Sequence, residues 1–210
     1  MGTLLFDNQS VPTTPAAGKS RLYVDSTTKR PTTIDEAGLP RGTFLSGNDS
    51  TAQQVLPASN TYVTNSGILI PSMGMKVGML FRWYVFISKT AAGTGAPIFT
   101  VKIGAAQTTA DTTRATITGV AQTAAVDTGM FQFCVHVRTV SATGQIVFNY
   151  AIAGKQAANA VGFGTSSAVN TPSTFDNSAL AGQYVGLAID PVATGTPVWT
   201  IDMVECKLTG

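Results

Sequence analysis

The chain has 210 residues, of which 44% are hydrophobic and only 11% charged, with a net charge of +2. That is apolar enough to build a core and too weakly charged for wholesale disorder. Glutamate occurs only at Glu36 and Glu205, which excludes a coiled coil or helical bundle, and 13 basic residues against 11 acidic ones exclude a nucleic-acid coat or a membrane-surface binder with its basic run.

Residues 1–60 are broken by five prolines (Pro12, Pro15, Pro31, Pro40, Pro57) and rich in Thr, Ser and Asn. Short strands are expected at Thr3–Phe6, Ser20–Asp25 and Thr43–Ser46. Arg21-Leu22-Tyr23-Val24 followed by Asp25–Lys29 reads as the first arm of a hairpin and its turn. The basic doublet Lys29-Arg30 then sits on a solvated tip. Thr33-Ile34-Asp35-Glu36 fits a capping box, with Thr33 as N-cap, and Gly38 and Pro40 would stop that helix within a turn. A stretch this short and irregular cannot bury its own core. It is expected to order against the rest of the chain or another subunit.

From residue 61 to 210 the pattern changes to longer strands with a period of two. Phe81, Trp83, Val85 and Ile87 alternate with Arg82, Tyr84 and Ser88. The same alternation runs through Phe99–Ile103, Phe131–Val137, Ile146–Ile152 and Val185–Ile189. In the last segment Trp199, Ile201 and Met203 share a face before Val204, Cys206 and Leu208 take over, a phase slip that predicts a bulge near Met203. Gly- and Pro-bearing turns separate the runs, at Ala92–Gly95, Thr143-Gly144 and Thr194–Pro197. About eight strands, each with one wet and one dry face, predict an all-β fold: an antiparallel two-sheet sandwich of the jelly-roll kind, preceded by an extended N-terminal arm with a short hairpin.

Few residues offer chemistry. Gly18-Lys19-Ser20 lacks the earlier glycine of a phosphate loop, that position being Thr13, and Gly162-Phe163-Gly164 has no strand-turn-helix context. His136, the single histidine, sits mid-strand between Val135 and Val137, where a structural or interface role fits better than a catalytic base. One histidine and the separated Cys134 and Cys206 cannot build a four-ligand zinc site, and the two thiols read as buried and free unless their strands are neighbours. Asp111, Asp127, Asp176, Asp190 and Asp202 show no metal-loop spacing. No catalytic, cofactor or metal site is expected. Trp83 and Trp199 fall in phase with the core, whereas Tyr62 and Tyr184 are candidates for a sugar-stacking surface. MGTLLFDNQS has no positive n-region and no long apolar stretch, so no secretory signal is expected, and the longest apolar run, Trp83–Ile87, is far below the ~20 residues that span a bilayer.

Thr14-Pro15-Ala16-Ala17-Gly18-Lys19-Ser20-Arg21-Leu22-Tyr23-Val24-Asp25, continuing through Lys29-Arg30-Pro31 to Asp35-Glu36-Ala37-Gly38, resembles a module near the N-terminus of tailed-bacteriophage virion proteins such as fibres, head spikes and decoration proteins. In that module a Pro-Ala-Gly-Lys-type turn leads to an apolar strand, a polar tip, a second short strand and Asp-x-Ala-Gly. Pro31-Thr32-Thr33-Ile34 stands at the second strand, with Pro31 weakening its pairing. The resemblance implies a non-enzymatic virion surface component, commonly trimeric. It would be made in the host bacterial cytoplasm and attached through its N-terminal part to the major capsid protein or another virion protein. Leu4, Leu5, Phe6, Leu22, Tyr23 and Val24 are then the expected apolar anchors. A capsid decoration (cement) protein or head spike is the first expectation. A tail-fibre or baseplate adhesin for a host surface glycan, and a secreted carbohydrate-binding module, are the alternatives. No nucleic-acid or membrane partner is expected.

Overall fold

The computed structural model describes residues 8–9, 16, 21–25, 31–34, 40–42, 49–50, 53–91, 94–155, 163, 167–192 and 199–209. The described residues are all-β, with no helix among them, and the chain divides into two compact units at 46/47.

The first unit carries β1 (Asn8–Gln9), β2 (Arg21–Asp25), β3 (Pro31–Ile34) and β4 (Pro40–Gly42), in that order across one sheet. β2 and β3 form an antiparallel hairpin with Val24 opposite Pro31, while β1 runs parallel to β2. Pro31 is accommodated because it opens its strand, where a missing N–H costs least. Thr33 and Ile34, the first two positions of the expected capping box, lie in β3, while Asp35 and Glu36 lie outside the described residues. Thr33 and Ile34 pair with Leu22 and Arg21 on one side and Arg41 and Pro40 on the other. Thr32, Thr33 and Ile34 are β-branched, and a ladder on both sides outweighs a local cap. Tyr23 is buried. The strands expected at Thr3–Phe6 and Thr43–Ser46 lie outside the described residues.

The second unit is a sandwich of antiparallel sheets. Its strands are β5 (Asp49–Ser50), β6 (Gln54–Leu56), β7 (Thr61–Tyr62), β8 (Ile68–Leu69), β9 (Leu80–Lys89), β10 (Ile98–Gly104), β11 (Thr112–Thr118), β12 (Asp127–Thr139), β13 (Gln145–Lys155), β14 (Ser167–Asn170), β15 (Tyr184–Asp190) and β16 (Trp199–Thr209). One sheet runs β14-β13-β12-β9-β16-β5, with β6 also on β16. The other runs β11-β10-β15-β7, with β8 also on β15. The pairing is nested: β9 with β16, β10 with β15, and β12 with β13.

The alternating faces meet as the sequence requires. Phe81, Trp83, Val85 and Ile87 of β9 are fully buried, as are Phe133, Val135 and Val137 of β12, and all face Phe99, Val101, Val185, Leu187 and Ile189 of the other sheet. Aromatic rings interlock between the layers, with Phe99 4.7 Å from Tyr150 and 5.0 Å from Phe133 (ring centroids), and Phe163, which follows β13 in the chain, stands edge-on to Trp199 at 5.3 Å. Each such side chain contributes about 1.5–3 kcal/mol by burial. The expected bulge is present: the ladder between β16 and β9 shifts between Ile201 and Met203.

Candidate ligand-binding cleft

Residues 61–69 run antiparallel to β15, but the two are unequal in length. Thr61 and Tyr62 pair with Ile189 and Ala188, and Ile68 and Leu69 pair with Val185 and Tyr184. Between these ladders five residues (63–67) face only two (186–187). The surplus is pushed outward as a wide bulge bearing Thr64 and Asn65, both exposed. Asn65 takes a left-handed conformation, φ 62°, which Asn tolerates better than most residues.

Hydrogen bonds pin the base of this bulge. The Ser66 hydroxyl accepts from Leu187 N at 3.0 Å, Val63 N donates to Leu187 O at 2.9 Å, and Trp83 Nε1 donates to Ser66 O at 2.7 Å. Ser66 thus replaces the ladder where the main chain has left it. Gln54 holds the outer side: its Oε1 accepts from Thr64 N at 2.8 Å and its Nε2 donates to Tyr62 O at 2.9 Å.

The facing wall is the turn between β10 and β11. Asp111 closes it by accepting from Ala106 N at 3.1 Å and Thr108 N at 3.3 Å. Lys102, buried on the outward face of β10, donates to Thr109 O at 2.9 Å and Thr113 Oγ1 at 2.8 Å. Gln107 here is also left-handed, φ 54°. Its side chain folds over Gly67 with the Tyr184 ring alongside, so a Cβ at Gly67 would strike the Gln107 amide.

Between the two walls lies a cleft of about 510 Å³, lined by Asn60, Thr61, Tyr62, Thr64 and Asn65 on one side and Gln107, Thr108 and Thr109 on the other. No lining residue is charged. Tyr62 crosses the outward side of β15, and its hydroxyl lies where a side chain on Gly186 would be. That hydroxyl is buried without a hydrogen bond of normal geometry. Burial pushes its pKa up to about 12, partly offset by the neighbouring Ser66 side chain, with Asp111 and Cys206 adding to the rise.

Of the two tyrosines that the sequence offers for a sugar-stacking surface, Tyr62 lines the cleft, whereas Tyr184 lies beside Gly67 and is not among the lining residues. The sequence gives no sign of Asn65 or Gln107, whose role depends on backbone conformation and on two loops far apart in sequence. Trp83 and Trp199 are core residues. His136 and Arg138 lie exposed on the outward face of the seven-stranded sheet, away from any carboxylate cluster, since among the described residues no three His, Cys, Asp or Glu side chains converge. Asp176 accepts from Ser178, which holds its carboxyl below the usual range, and Asp202 accepts from Ser88 and Gln53. Neither Cys134 nor Cys206 is in a disulfide, and the Cys206 thiol donates to Asn65 O at 3.4 Å. Their strands flank β9 on either side, with Cys206 buried in the core and Cys134 on the opposite face. Burial raises the Cys134 thiol pKa, and Arg82 opposes the shift. Leu4, Leu5, Phe6, Gly18-Lys19-Ser20, Gly162 and Gly164 lie outside the described residues, whereas Leu22, Tyr23 and Val24 fall in β2.

Compared with known proteins, the chain matches no family model and no curated protein.

Proposed function

We propose that the chain is a non-enzymatic structural protein of a tailed-bacteriophage virion, a capsid decoration (cement) protein or head spike acting as a homotrimer. The observation that carries this reading is the division at 46/47. A small unit holds the hairpin β2–β3, the segment on which the virion resemblance rests, and a self-contained sandwich follows. Of the expected anchors Tyr23 is buried, and Leu4, Leu5, Phe6, Leu22 and Val24 are the apolar side chains that the leading unit would bring to the major capsid protein or another virion partner. Three arms on one trimer raise the effective concentration of each contact, so weak contacts sum to firm attachment. Binding assembled shell in preference to free subunits then stabilises the particle by mass action. The sandwich is read as a jelly roll, supported by the nesting of β9 with β16, β10 with β15 and β12 with β13. β11 and β14, the pair that would complete the nest, approach within 8 Å without a ladder among their described residues.

The test is stoichiometry and location. Full-length protein incubated with particles should be retained at shell copy number by quantitative mass spectrometry, with cryo-EM density over the capsid. Removing residues 1–46 should abolish retention. Density confined to the tail, or undiminished binding after the deletion, defeats the reading.

A further inference from the structure

We propose that the cleft between residues 60–65 and 107–109 is a binding site for a neutral saccharide. The inference concerns the sandwich alone and goes beyond the virion reading, which survives if it fails.

Three observations carry it. The first is chemical. The walls present carboxamides (Asn60, Asn65, Gln107), hydroxyls (Thr64, Thr109) and one aromatic ring, and no charge. Carboxamides and hydroxyls both donate and accept, as the hydroxyls of a pyranose do. The Tyr62 ring supplies the apolar surface that a sugar's C–H face needs. A phosphate, a carboxylate or a nucleotide would instead call for a cation. Lys102 is engaged below the cleft, with Thr109 O and Thr113 Oγ1.

The second is preorganisation. The backbone of both walls is tied down: Thr64 N and Tyr62 O to Gln54, Ala106 N and Thr108 N to Asp111, and Thr109 O to Lys102. The Gln107 amide is steadied as well, folded over Gly67, whereas Asn60 and Asn65 are exposed residues. A ligand therefore meets a fixed backbone on both walls, and the ordering cost falls only on the exposed side chains.

The third is conformational. Asn65 and Gln107, on opposite walls, are two of the non-glycine residues with positive φ among those described. Such conformations cost about 1–3 kcal/mol, persist only when the surroundings enforce them, and cluster at ligand clamps. The volume, about 510 Å³, falls within the roughly 300–1,000 Å³ of small-ligand sites.

The test uses the full chain. Saturation-transfer NMR and calorimetry are run with maltose, lactose, cellobiose and N,N′-diacetylchitobiose at millimolar concentration, with sialyllactose as the anionic control. At least one neutral sugar should bind and sialyllactose should not bind better. The variants Asn65→Gly and Gln107→Gly keep the left-handed backbone while deleting the amide, so folding is preserved. Together they should weaken binding by about tenfold or more. Comparing the disaccharide that binds with a polysaccharide of the same units separates a free sugar from a surface polymer as the source, and either is consistent with the site. No binding by any neutral sugar, preference for the anionic one, or unchanged affinity in the folded double glycine variant overturns the proposal.

Discussion

Tyr62 and Lys89 pull the stability of the sandwich in opposite directions at alkaline pH. Tyr62 keeps its proton to about pH 12 in the folded state, against an ordinary value of 10.0. Its contribution is therefore fully present below pH 10 and is lost as pH rises toward 12. Tyr62→Phe should flatten that alkaline loss in urea titrations and change stability little at neutral pH, because the hydroxyl makes no normal hydrogen bond. Lys89 is 2% exposed, and its Nζ donates to Thr90 O and Thr123 O at 2.9 Å and Ala125 O at 2.7 Å. Burial lowers its pKa, and Asp127, opposite it in the β12 ladder, opposes the shift. The folded chain thus releases this proton before the unfolded one does, so its contribution grows as pH climbs from the lowered value toward 10.5. At neutral pH Lys89→Met strands three carbonyls and leaves Asp127 buried without its cation. The loss should be about 3 kcal/mol, read from the denaturation midpoint. Both residues were partly legible in advance. Lys89 continues the inward phase of Phe81–Ile87, so alternation alone places it on the core face. What the sequence cannot state is which carbonyls gather round it, because two of the three come from a loop 34 and 36 residues away.

At the scale of elements, side-chain alternation was enough to place β9, β10, β12, β13, β15 and β16, because one face of each meets the core. It was also enough for the bulge in β16, since only an extra residue lets both Ile201 and Val204 face inward. The ladder pairs Ile201 with Ile87 and Met203 with Phe86, leaving Asp202 as the extra residue. Deleting Asp202 should regularise the strand and cost about 1 kcal/mol, from its lost hydrogen bonds with Ser88 and Gln53. Deleting Glu205 instead turns Cys206 and Leu208 to the solvent face, and the sandwich should fail to unfold cooperatively in a thermal melt. Equal stability of the two deletions would contradict this register. The bulge at 63–67 was not legible. Its residues, Val-Thr-Asn-Ser-Gly, carry no period, and it exists only because Ser66 can take over the hydrogen bonds of Leu187.

For the whole molecule, the change of pattern near residue 61 marked where regular alternation begins, while the compact units part at 46/47. The difference is β5 and β6, too short to show a period and ordered by pairing with β16. Among the described residues, every ladder of the sandwich is made within 49–209. The chain without residues 1–46 should therefore remain soluble and keep its near-ultraviolet circular dichroism, so that loss of particle binding reports on attachment rather than on unfolding.

β16 lies between β9 and the short β5 and β6, and it supplies Trp199, Ile201, Val204 and Cys206 to the core. A ribosome must therefore release residue 209 before the larger sheet can close. Until then the nascent chain displays the apolar side of β9 with one flank bare, a substrate for chaperones. A stop codon early in β16 removes those four core side chains and should yield a polypeptide that is degraded, not a slightly shortened working protein.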